Sequence, residues 1–317
     1  MNIVILGYTG LIGSNILRYL SKDKSFNLIC VGKKIKKKPY LNPKIKYLKW
    51  DYNTFEDSEL SFLKNANIII NCVGKTGDFK NDIENINTNF IKNFLNYSKS
   101  KHLKFRFIHL SSVSVYGANN EYFGSRIVFN ENSKIRLNGI YSRSKYLSEK
   151  FLKDFFHEQF KCNISYTILR ISNIYGEKKK SNLLNYIKFS LKINIWLRCF
   201  DDILFNFVNV KDVVQAITLI ISNLKITKNK TYIVSDDCNQ LDVYKNYEKK
   251  FHKKIYKIQM PISLLRFLYN YIPLPKKFLN LILLTSSRVS YSNKKIRNEL
   301  NFNPKHSLKN NTAYLNE

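Results

Sequence analysis

The first half of the chain alternates short apolar runs with longer stretches whose apolar residues recur at helical spacing. The apolar runs are NIVIL (2–6), NLICVG (27–32), KIKYLKW (44–50), NIIINCVG (67–74), FRFIHLSS (105–112) and SYTILRIS (165–172). Helices are predicted at 11–22, 85–101, 139–160 and 211–223. Apolar strands that alternate with helices are typical of a parallel sheet covered on both faces. The pattern therefore predicts the α/β class, with a Rossmann-type doubly wound parallel sheet.

The first predicted strand runs directly into a glycine-rich turn, GYTGLIG, and then into a helix. Its glycines are Gly7, Gly10 and Gly13. Glycines let a backbone turn tightly and approach a pyrophosphate, and a helix N-terminus offers N–H groups and partial positive charge. Strand, glycine turn and helix at the start of a βαβ unit predict a dinucleotide-binding loop. Its other predicted contacts are Thr9, Leu11 and Ile12.

After residue 176 the strand–helix rhythm weakens into mixed, loop-rich sequence. The prediction is a dinucleotide-binding Rossmann domain over 1–176, joined again by a strand and a helix at about 205–235. The rest of 177–317 is predicted to be mainly a smaller, mixed, substrate-binding region. Because α/β sheets bind ligands at the carboxyl ends of their strands, we expect this region to pack there.

The second strand departs from the pattern that accompanies NAD. An Asp or Glu about 20 residues beyond the last glycine normally binds the adenosine ribose, but this region reads CVGKKIKKK. Cations suit a 2′-phosphate, so NADP is favoured and NAD stays possible, with Lys33 or Lys34 as the phosphate partner. Asp51, after the third strand, is placed to accept a hydrogen bond from the adenine amino group, with Tyr52 beside it.

Candidate catalytic groups follow the fifth strand. The run HLSSVSVYG brings Ser111, Ser112 and Ser114 to the carboxyl edge of the sheet. Further on, YSRSK places Tyr141 and Lys145 four positions apart, on one face of a predicted helix. A neighbouring ammonium favours phenolate and lowers the pKa of a tyrosine from about 10, which suits proton transfer near neutral pH.

Together these motifs resemble the extended short-chain dehydrogenase/reductase family, in particular its nucleotide-sugar epimerases and reductases. The resemblance covers nearly the whole chain. Its further marks are LKNANIIINCVG (63–74), ENINTNF (84–90), LRISNIYG (169–176), FVNVKDVVQAI (207–217) and VSYSNKKIRNELNFNP (289–304).

The resemblance implies a role for each candidate group. Tyr141 is the expected acid/base, Lys145 lowers its pKa and hydrogen-bonds the nicotinamide ribose, and Ser112 polarises the sugar hydroxyl or ketone. Val73 and Gly74 are expected to line the cofactor, and Asn87 to support the active-site helix near it. The implied substrate contacts are Lys75, Ser114, Asn173, Arg198 and Arg288.

The resemblance leaves more than one reaction open. Dehydratases of the family carry an Asp–Glu pair where this chain has Val113 and Ser114, so elimination is disfavoured. The missing ribose acid favours a reductase of UDP-4-keto-6-deoxy-hexosamine-type sugars for surface polysaccharide or O-antigen synthesis. The alternative is a UDP-sugar 4-epimerase of the UDP-glucose or UDP-N-acetylglucosamine type. A non-catalytic NADP-binding sensor or structural subunit is a third possibility.

One position departs from the family pattern. Many relatives carry an Arg that clamps the diphosphate just before the FVNVKD-like strand, where this chain has Phe205 and Asn206. A bidentate Arg–phosphate pair is stronger than a generic positive charge. Arg198, Arg288 or Lys75 is expected to substitute.

Composition narrows the possible partners. The formal charge is +30, but Lys, Asn and Ile are overused throughout, and no nucleic-acid-binding signature accompanies the charge. Nucleic acid is therefore not expected as a partner, and the lysine runs at 33–38 and 178–180 are expected to be solvated loops. The five cysteines form no CxxC, so neither a metal site nor a disulfide framework is predicted.

Three features of the sequence predict where the protein is located and how it assembles. The N-terminus lacks the pattern of a signal peptide, which predicts a cytoplasmic protein. The apolar stretch at 261–287 is interrupted by Pro and Lys, so two packed helices are favoured over a membrane span, while peripheral membrane association stays possible. By the resemblance, helices 85–101 and 139–160 are expected to form a homodimer interface.

Overall fold

The computed structural model describes residues 1–37, 42–76, 80–117, 124–157, 164–176, 182–273 and 285–315. Cys162, Lys38 and the lysine run at 178–180 lie outside the described residues. The strands are β1 Asn2–Leu6, β2 Asn27–Gly32, β3 Ile45–Lys49, β4 Ile68–Asn71, β5 Phe105–Ser112, β6 Ile127–Phe129, β7 Ile164–Ile171, β8 Asn173–Tyr175, β9 Ile195–Arg198, β10 Leu204–Phe205, β11 Phe207–Asn209, β12 Lys230–Val234, β13 Cys238–Asn239, β14 Tyr256–Gln259 and β15 Val289–Tyr291. The helices are α1 Leu11–Leu20, α2 Asp57–Leu60, α3 Lys80–Glu84, α4 Phe90–Ser100, α5 Ile140–His157, α6 Asn182–Lys192, α7 Val210–Ser222, α8 Gln240–Phe251, α9 Ile262–Tyr271 and α10 Lys294–Leu300.

Seven of these strands form one parallel sheet in the order β12-β7-β5-β4-β1-β2-β3. The order reverses at β1, where the chain leaves first towards β2 and β3 and later returns towards β4, β5 and β7. A sheet wound in two directions from its first strand opens a ligand crevice at the carboxyl ends of the strands next to that reversal. The predicted α/β class and doubly wound parallel sheet are confirmed.

Both faces of the sheet are covered, which explains why its strands are apolar along their whole length. On one face α1 and α7 bury apolar stripes that include Ile16, Leu17 and Val213. On the other face α4 and α5 pack with the segment after β3, where Trp50 and Phe94 are fully buried. The central sheet therefore lies between two apolar cores, which fix the positions of the carboxyl ends of its strands.

The predicted helix over 85–101 is wrong in one respect. The structure has α3, then a π-helical turn at Asn85–Asn89, and only then α4. A π turn is a local widening that often occurs at functional sites. Here it carries Asn87, whose amide binds the backbone of Lys75.

Besides the main sheet, the described residues form four separate pairs of short strands. These are β8 with β11, β9 with β14, β10 with β13 and β6 with β15. β12 extends the main sheet beside β7, and the exact division into two domains stays a prediction. Residues 274–284 of the apolar late stretch lie outside the described part, whereas its beginning forms α9. Among the described residues, no helix has the length and apolarity needed to cross a membrane.

Candidate active site

The glycine turn between β1 and α1 is shaped by close backbone contacts. Gly7 has φ +76°, which favours glycine, and a Cβ there would lie 3.1 Å from the backbone of Cys72 and Val73. A Cβ at Gly13 would lie 2.5 Å from the Gly7 carbonyl oxygen. At Gly10 the nearest contact would be 3.4 Å, an ordinary distance. The first and third glycines are therefore required by the backbone itself.

The side-chain hydroxyl of Tyr52 holds this turn against β2. Its hydroxyl accepts a hydrogen bond from the Gly7 N–H at 3.0 Å and donates one to the Val31 carbonyl at 2.9 Å. The side chain is 8% exposed, and burial raises the pKa of its phenol. The Tyr52 hydroxyl is therefore engaged by the turn and by β2.

A second tyrosine, Tyr8, shapes the loop after β2, a function that sequence reasoning missed. The Lys36 N–H donates to the Tyr8 hydroxyl at 2.6 Å, and a Cβ at Gly32 would lie 3.1 Å from the Tyr8 ring. These contacts fix the backbone that carries the exposed Lys33 and Lys34. The only local signal was a large residue inside a glycine turn, which does not reveal where its ring packs.

Asp51 lies close enough to Lys33 for the lysine's charge to lower the pKa of the Asp51 carboxyl group. The Asn53 N–H donates to the Asp51 carboxylate at 2.8 Å and is the main cause that holds its pKa below the usual value, with a smaller contribution from Lys33. The predicted adenosine end of the crevice therefore combines a cation and an ionised carboxylate.

The structure brings Ser112, Tyr141 and Lys145 together, as the sequence predicts. Ser112 ends β5, and its side chain lies close enough to that of Tyr141, in the first turn of α5, to act on the pKa of the phenol. The Lys145 Nζ lies 6.0 Å from the centre of the Tyr141 ring and donates to the Leu110 carbonyl at 3.0 Å. A hydroxyl, a phenol and a buried ammonium thus share one end of the crevice.

The expected pKa of Tyr141 is wrong in direction. Burial raises the pKa of the phenol, and the Ser112 side chain acts in the opposite direction without reversing the shift. Burial instead lowers the pKa of Lys145 to about 8, while Glu149 and Cys72 act to raise it. The ammonium therefore loses its proton nearer to neutral pH than an exposed lysine does.

Asn87 holds α5 against the loop that follows β4. Its amide oxygen accepts from the Lys75 N–H at 2.8 Å, and its amide nitrogen donates to the Ser144 hydroxyl at 3.0 Å. A Cβ at Gly74 would lie 3.1 Å from the Lys145 Nζ and 3.5 Å from the Asn87 side chain. Gly74 thus leaves open space beside the ammonium, at the carboxyl end of β4. Val73, in the same loop, is held through its N–H by Asn71 at 3.0 Å.

The glycine turn and this loop fit a dinucleotide. Both have backbone where a side chain would clash, and the turn precedes the N-terminus of a ten-residue helix. The first N–H groups of a helix lack partners within it and attract an anion. The residues present therefore fit the pyrophosphate and nicotinamide ends of such a cofactor.

Asn173, one of the predicted substrate residues, lies at the start of the short strand β8. The Asn173 amide donates to the Asn206 carbonyl at 3.1 Å, and the Asn206 amide donates to the Val289 carbonyl at 2.8 Å. Asn206 thereby joins Asn173 to the strand that follows Arg288. Ser114, close to the end of β5, has a buried hydroxyl oxygen without a hydrogen-bond partner in the described residues.

Arg288 belongs to an ion cluster on the substrate side that we call the Asp202 cluster: Arg126, Asp202 and Arg288. Arg288 donates to Asp202 through Nε at 3.0 Å and Nη2 at 2.8 Å, and its guanidinium lies 4.6 Å from the centre of the Phe200 ring. Arg126 donates to the same carboxylate at 2.6 Å. No motif in the sequence pointed to Arg126.

Arg198 and Lys75, the other two positively charged residues predicted to contact the substrate, lie in separate ion pairs. Arg198 pairs with Asp201 and lies 5.3 Å from the Trp196 ring, and Lys75 pairs with Asp82. Phe205 occupies the position where many relatives carry an Arg. It is fully buried in the core with Phe207 and Tyr244, so this position presents no cation to the crevice.

The described cysteines are Cys30, Cys72, Cys199 and Cys238, all with free thiols. No group of three His, Cys, Asp or Glu side chains in the described ranges is arranged to hold a metal ion. Within those ranges, the chemistry available at the sheet edge is proton transfer and charge stabilisation by Ser112, Tyr141 and Lys145.

Fold and site together define a Rossmann-type protein with a short-chain dehydrogenase/reductase centre. The family model described as "NAD dependent epimerase/dehydratase family" matches residues 3–235. The chain belongs to this family, and it is an enzyme of the short-chain dehydrogenase/reductase type that uses a nicotinamide cofactor.

Solved structures with the same fold extend over nearly the whole chain. UDP-glucuronic acid 4-epimerase from Bacillus cereus, in complex with NAD, is 18% identical, with 99% of this chain and 96% of that chain covered and a TM-score of 0.72. dTDP-glucose 4,6-dehydratase from Bacillus anthracis, in complex with NAD, is 17% identical, with 100% and 96% covered and a TM-score of 0.69. RMD from Pseudomonas aeruginosa, complexed with NADPH, is 15% identical, with 99% and 97% covered and a TM-score of 0.62. A search of curated protein sequences finds no match.

Proposed function

We propose that the protein is a nucleotide-sugar 4-epimerase that acts on a UDP-linked hexose or hexuronic acid. The observation that carries the proposal is the juxtaposition of Ser112, Tyr141 and Lys145 beside a dinucleotide cradle. The similarity in fold to a UDP-glucuronic acid 4-epimerase along 99% of the chain supports this choice over the reductase that the sequence favoured.

In this proposal the chain's own groups move a proton at the sugar O4. The phenolate form of Tyr141 accepts the proton from the 4-hydroxyl, and the phenol so formed returns a proton to O4 after the sugar ring has turned over. Ser112 donates a hydrogen bond to the same oxygen, and Lys145 stabilises the phenolate and binds the nicotinamide ribose. The cofactor, when bound, supplies the hydride acceptor and donor. The closeness of the Ser112 and Tyr141 side chains supports an arrangement in which both contact the same substrate oxygen.

The diphosphate and sugar are assigned to the substrate side. Arg288, with Arg198 or Lys75, would bind the diphosphate, since Phe205 cannot. Asn173 would add a hydrogen bond to the diphosphate, and the unpartnered hydroxyl of Ser114 would contact the sugar. Charge-assisted Arg–phosphate pairs are the strongest of these contacts.

A reductase that uses NADPH is the second candidate, because Lys33 follows β2 where an acidic residue would repel a 2′-phosphate. Asp51 weakens this argument, because its ionised carboxylate lies near Lys33. Roles in surface polysaccharide synthesis, a cytoplasmic location, association with a membrane surface and a homodimer through α4 and α5 remain predictions.

The test uses purified protein, NAD and a panel of UDP-glucose, UDP-N-acetylglucosamine and UDP-glucuronic acid, with chromatographic separation of C4 epimers. We expect an epimer from at least one donor, with no net change in reduced-nicotinamide absorbance. Tyr141→Phe is expected to slow the reaction by about 10²–10⁴-fold, as for loss of a general acid/base, and to retain NAD binding.

The same preparation separates the alternatives. Stoichiometric oxidation of NADPH by a UDP-4-keto-6-deoxy-hexosamine, without epimer formation, would instead establish the reductase. Cofactor binding without either reaction would favour the sensor.

A further inference from the structure

Glu149 is a carboxylate in the core, one helical turn beyond Lys145 on α5. Its side chain is 0% exposed. Tyr141, Lys145 and Glu149 follow one another at intervals of four, so they lie along one side of the helix. Acidic side chains are almost never fully buried unless they are paired, and the family assignment gives Glu149 no function.

The contacts of Glu149 join three elements at the reactive edge. Arg170 of β7 donates to it through Nε at 3.0 Å and through Nη2 at 2.7 Å. The Ser111 hydroxyl at the end of β5 donates to it at 2.5 Å. Because Ser111 precedes Ser112, the carboxylate ties the catalytic serine's strand to the catalytic helix.

The far side of Arg170 extends the network. Its Nη1 donates to the Tyr116 hydroxyl at 2.6 Å and to the Glu131 carbonyl at 3.3 Å. Tyr116 belongs to the single turn that directly follows Ser112. Both ends of the segment that carries Ser112 and Ser114 are therefore fixed to this ion pair.

A buried ion pair is a costly way to stabilise a core, because an apolar pair of similar size often does as well. The position of this pair suggests what it contributes instead. Lys145 is buried and donates to the Leu110 carbonyl, directly before Ser111. Without a nearby negative charge, burial would favour the neutral amine.

We propose that Glu149 is a positioning residue: its carboxylate sets the end of β5 against α5 and supplies the negative charge that keeps Lys145 an ammonium. Arg170 holds the carboxylate in place and satisfies its remaining lone pairs. This inference concerns the same site as the proposed function, but the state of Lys145 can be measured without any substrate.

Among the described residues, the other titratable groups around Lys145 carry no negative charge near neutral pH, while Arg170 and Lys153 pair with Glu149 itself at 2.7 and 3.6 Å. Cys72, after β4, has a thiol whose pKa burial raises to about 12. His109 of β5 is buried, and burial together with Lys145 holds its pKa well below the ordinary value, so it stays neutral. Tyr141 is also neutral, because burial raises its pKa. Glu149 is therefore the anion that acts on Lys145.

The experiment is a pH titration of ¹⁵N-labelled lysine side chains in the full chain, followed by NMR. Lys145 is expected to titrate near pH 8, well below the exposed lysines near about 10.4, and the Lys145→Met variant assigns its signal. Glu149→Gln is expected to move this midpoint down by about one unit or more. Glu299→Gln removes a carboxylate paired with Lys230 away from α5 and should leave the midpoint unchanged.

Further variants separate charge from position and from folding. Ser111→Ala removes the hydrogen bond but keeps the charge, so the Lys145 midpoint should stay in place. Glu149→Asp keeps the charge and should restore most of the shift. If Glu149→Gln fails to fold because Arg170 is left unpaired, the double variant Glu149→Gln, Arg170→Met removes both buried charges and should still lower the midpoint.

An unchanged Lys145 midpoint in whichever of these two Gln-containing variants folds would overturn the proposal. In an assay for the proposed epimerase, Glu149→Gln should lose its activity at a lower pH than the wild type. If no C4 epimer forms with any donor, the proposed function fails, while the NMR titration still decides the role of Glu149.

Discussion

The predicted catalytic edge and the predicted substrate side of this protein are built in different ways. At the catalytic edge, Lys145 and Glu149 are buried between long parallel strands and α5. On the predicted substrate side, loops next to strands of two to four residues carry ion pairs at the surface, where the Arg126 and Asp201 side chains are 72% and 76% exposed. The polar groups at the catalytic edge are held by burial, whereas those on the predicted substrate side lie at the surface and can exchange one ionic partner for another.

The difference follows from what each region has to do. Proton transfer requires groups held at hydrogen-bond distance, and buried networks provide that rigidity. Exposed ion pairs contribute only about 0–1 kcal/mol each to stability. An Arg of the Asp202 cluster could therefore leave Asp202 and bind an incoming phosphate with little loss of free energy. If this comparison is right, substitutions at the catalytic edge should change the rate, and those on the substrate side should change affinity.

The largest effect is expected from Ser112→Ala. Loss of a hydrogen-bond donor to the reacting oxygen typically lowers kcat by about 10²–10³-fold, and NAD affinity should stay unchanged. The measurement is steady-state kinetics with a fluorescence titration of the cofactor. Ser98→Ala is the matched control, because Ser98 is also buried but bonds only the Phe94 carbonyl of its own helix. A loss of less than about fivefold in kcat for Ser112→Ala would contradict a catalytic role.

Next in size is the contrast between Gly13→Ala and Gly10→Ala. The first would place a Cβ 2.5 Å from the Gly7 carbonyl oxygen, the second only 3.4 Å from it. Overpacking costs about 1–3 kcal/mol, so Gly13→Ala should weaken NAD binding by roughly 10–100-fold and lower Tm. Gly10→Ala should change both much less. Equal effects of the two substitutions would show that cofactor binding does not depend on this backbone contact.

Substitution on the substrate side should change affinity instead. Arg288→Ala removes the half-buried guanidinium of the Asp202 cluster and is expected to raise KM about tenfold with kcat nearly unchanged, as for lost uniform binding. Arg126→Ala, at the exposed rim of the same cluster, should change KM by less than about threefold. Initial-rate kinetics on both variants decide this point. If Arg288→Ala lowered kcat as much as Ser112→Ala does, the two regions would not differ in the way proposed.

Sequence reasoning predicted that Ser112, Tyr141 and Lys145 lie at one edge of the sheet, because the signals for this are local. Strand β5 and the Tyr141–Lys145 spacing each lie within one element, so pattern and position agree. The supporting contacts of Tyr8, Tyr52 and Glu149 were missed because their partners are 21 to 45 residues away in the chain.

The substrate side was harder for the same reason. Asp202 meets Arg126 and Arg288, which are 76 and 86 residues away, through loops without a regular pattern. The direction of the Tyr141 pKa was also missed, because burial depends on the whole fold and not on the spacing of Tyr141 and Lys145.

The smallest effect is expected at the adenosine end, from Lys33→Gln. Lys33 is exposed, and the ionised Asp51 nearby offsets part of its attraction for a 2′-phosphate. Exposed charge pairs are worth about 0.2–1 kcal/mol, so NADPH affinity should fall by roughly two- to fivefold and NADH affinity should not change. Lys36→Gln, three residues further along the same exposed loop, is the control. Titrations that find equal losses for both cofactors would remove Lys33 as a reason to favour NADP, because only the 2′-phosphate distinguishes the two.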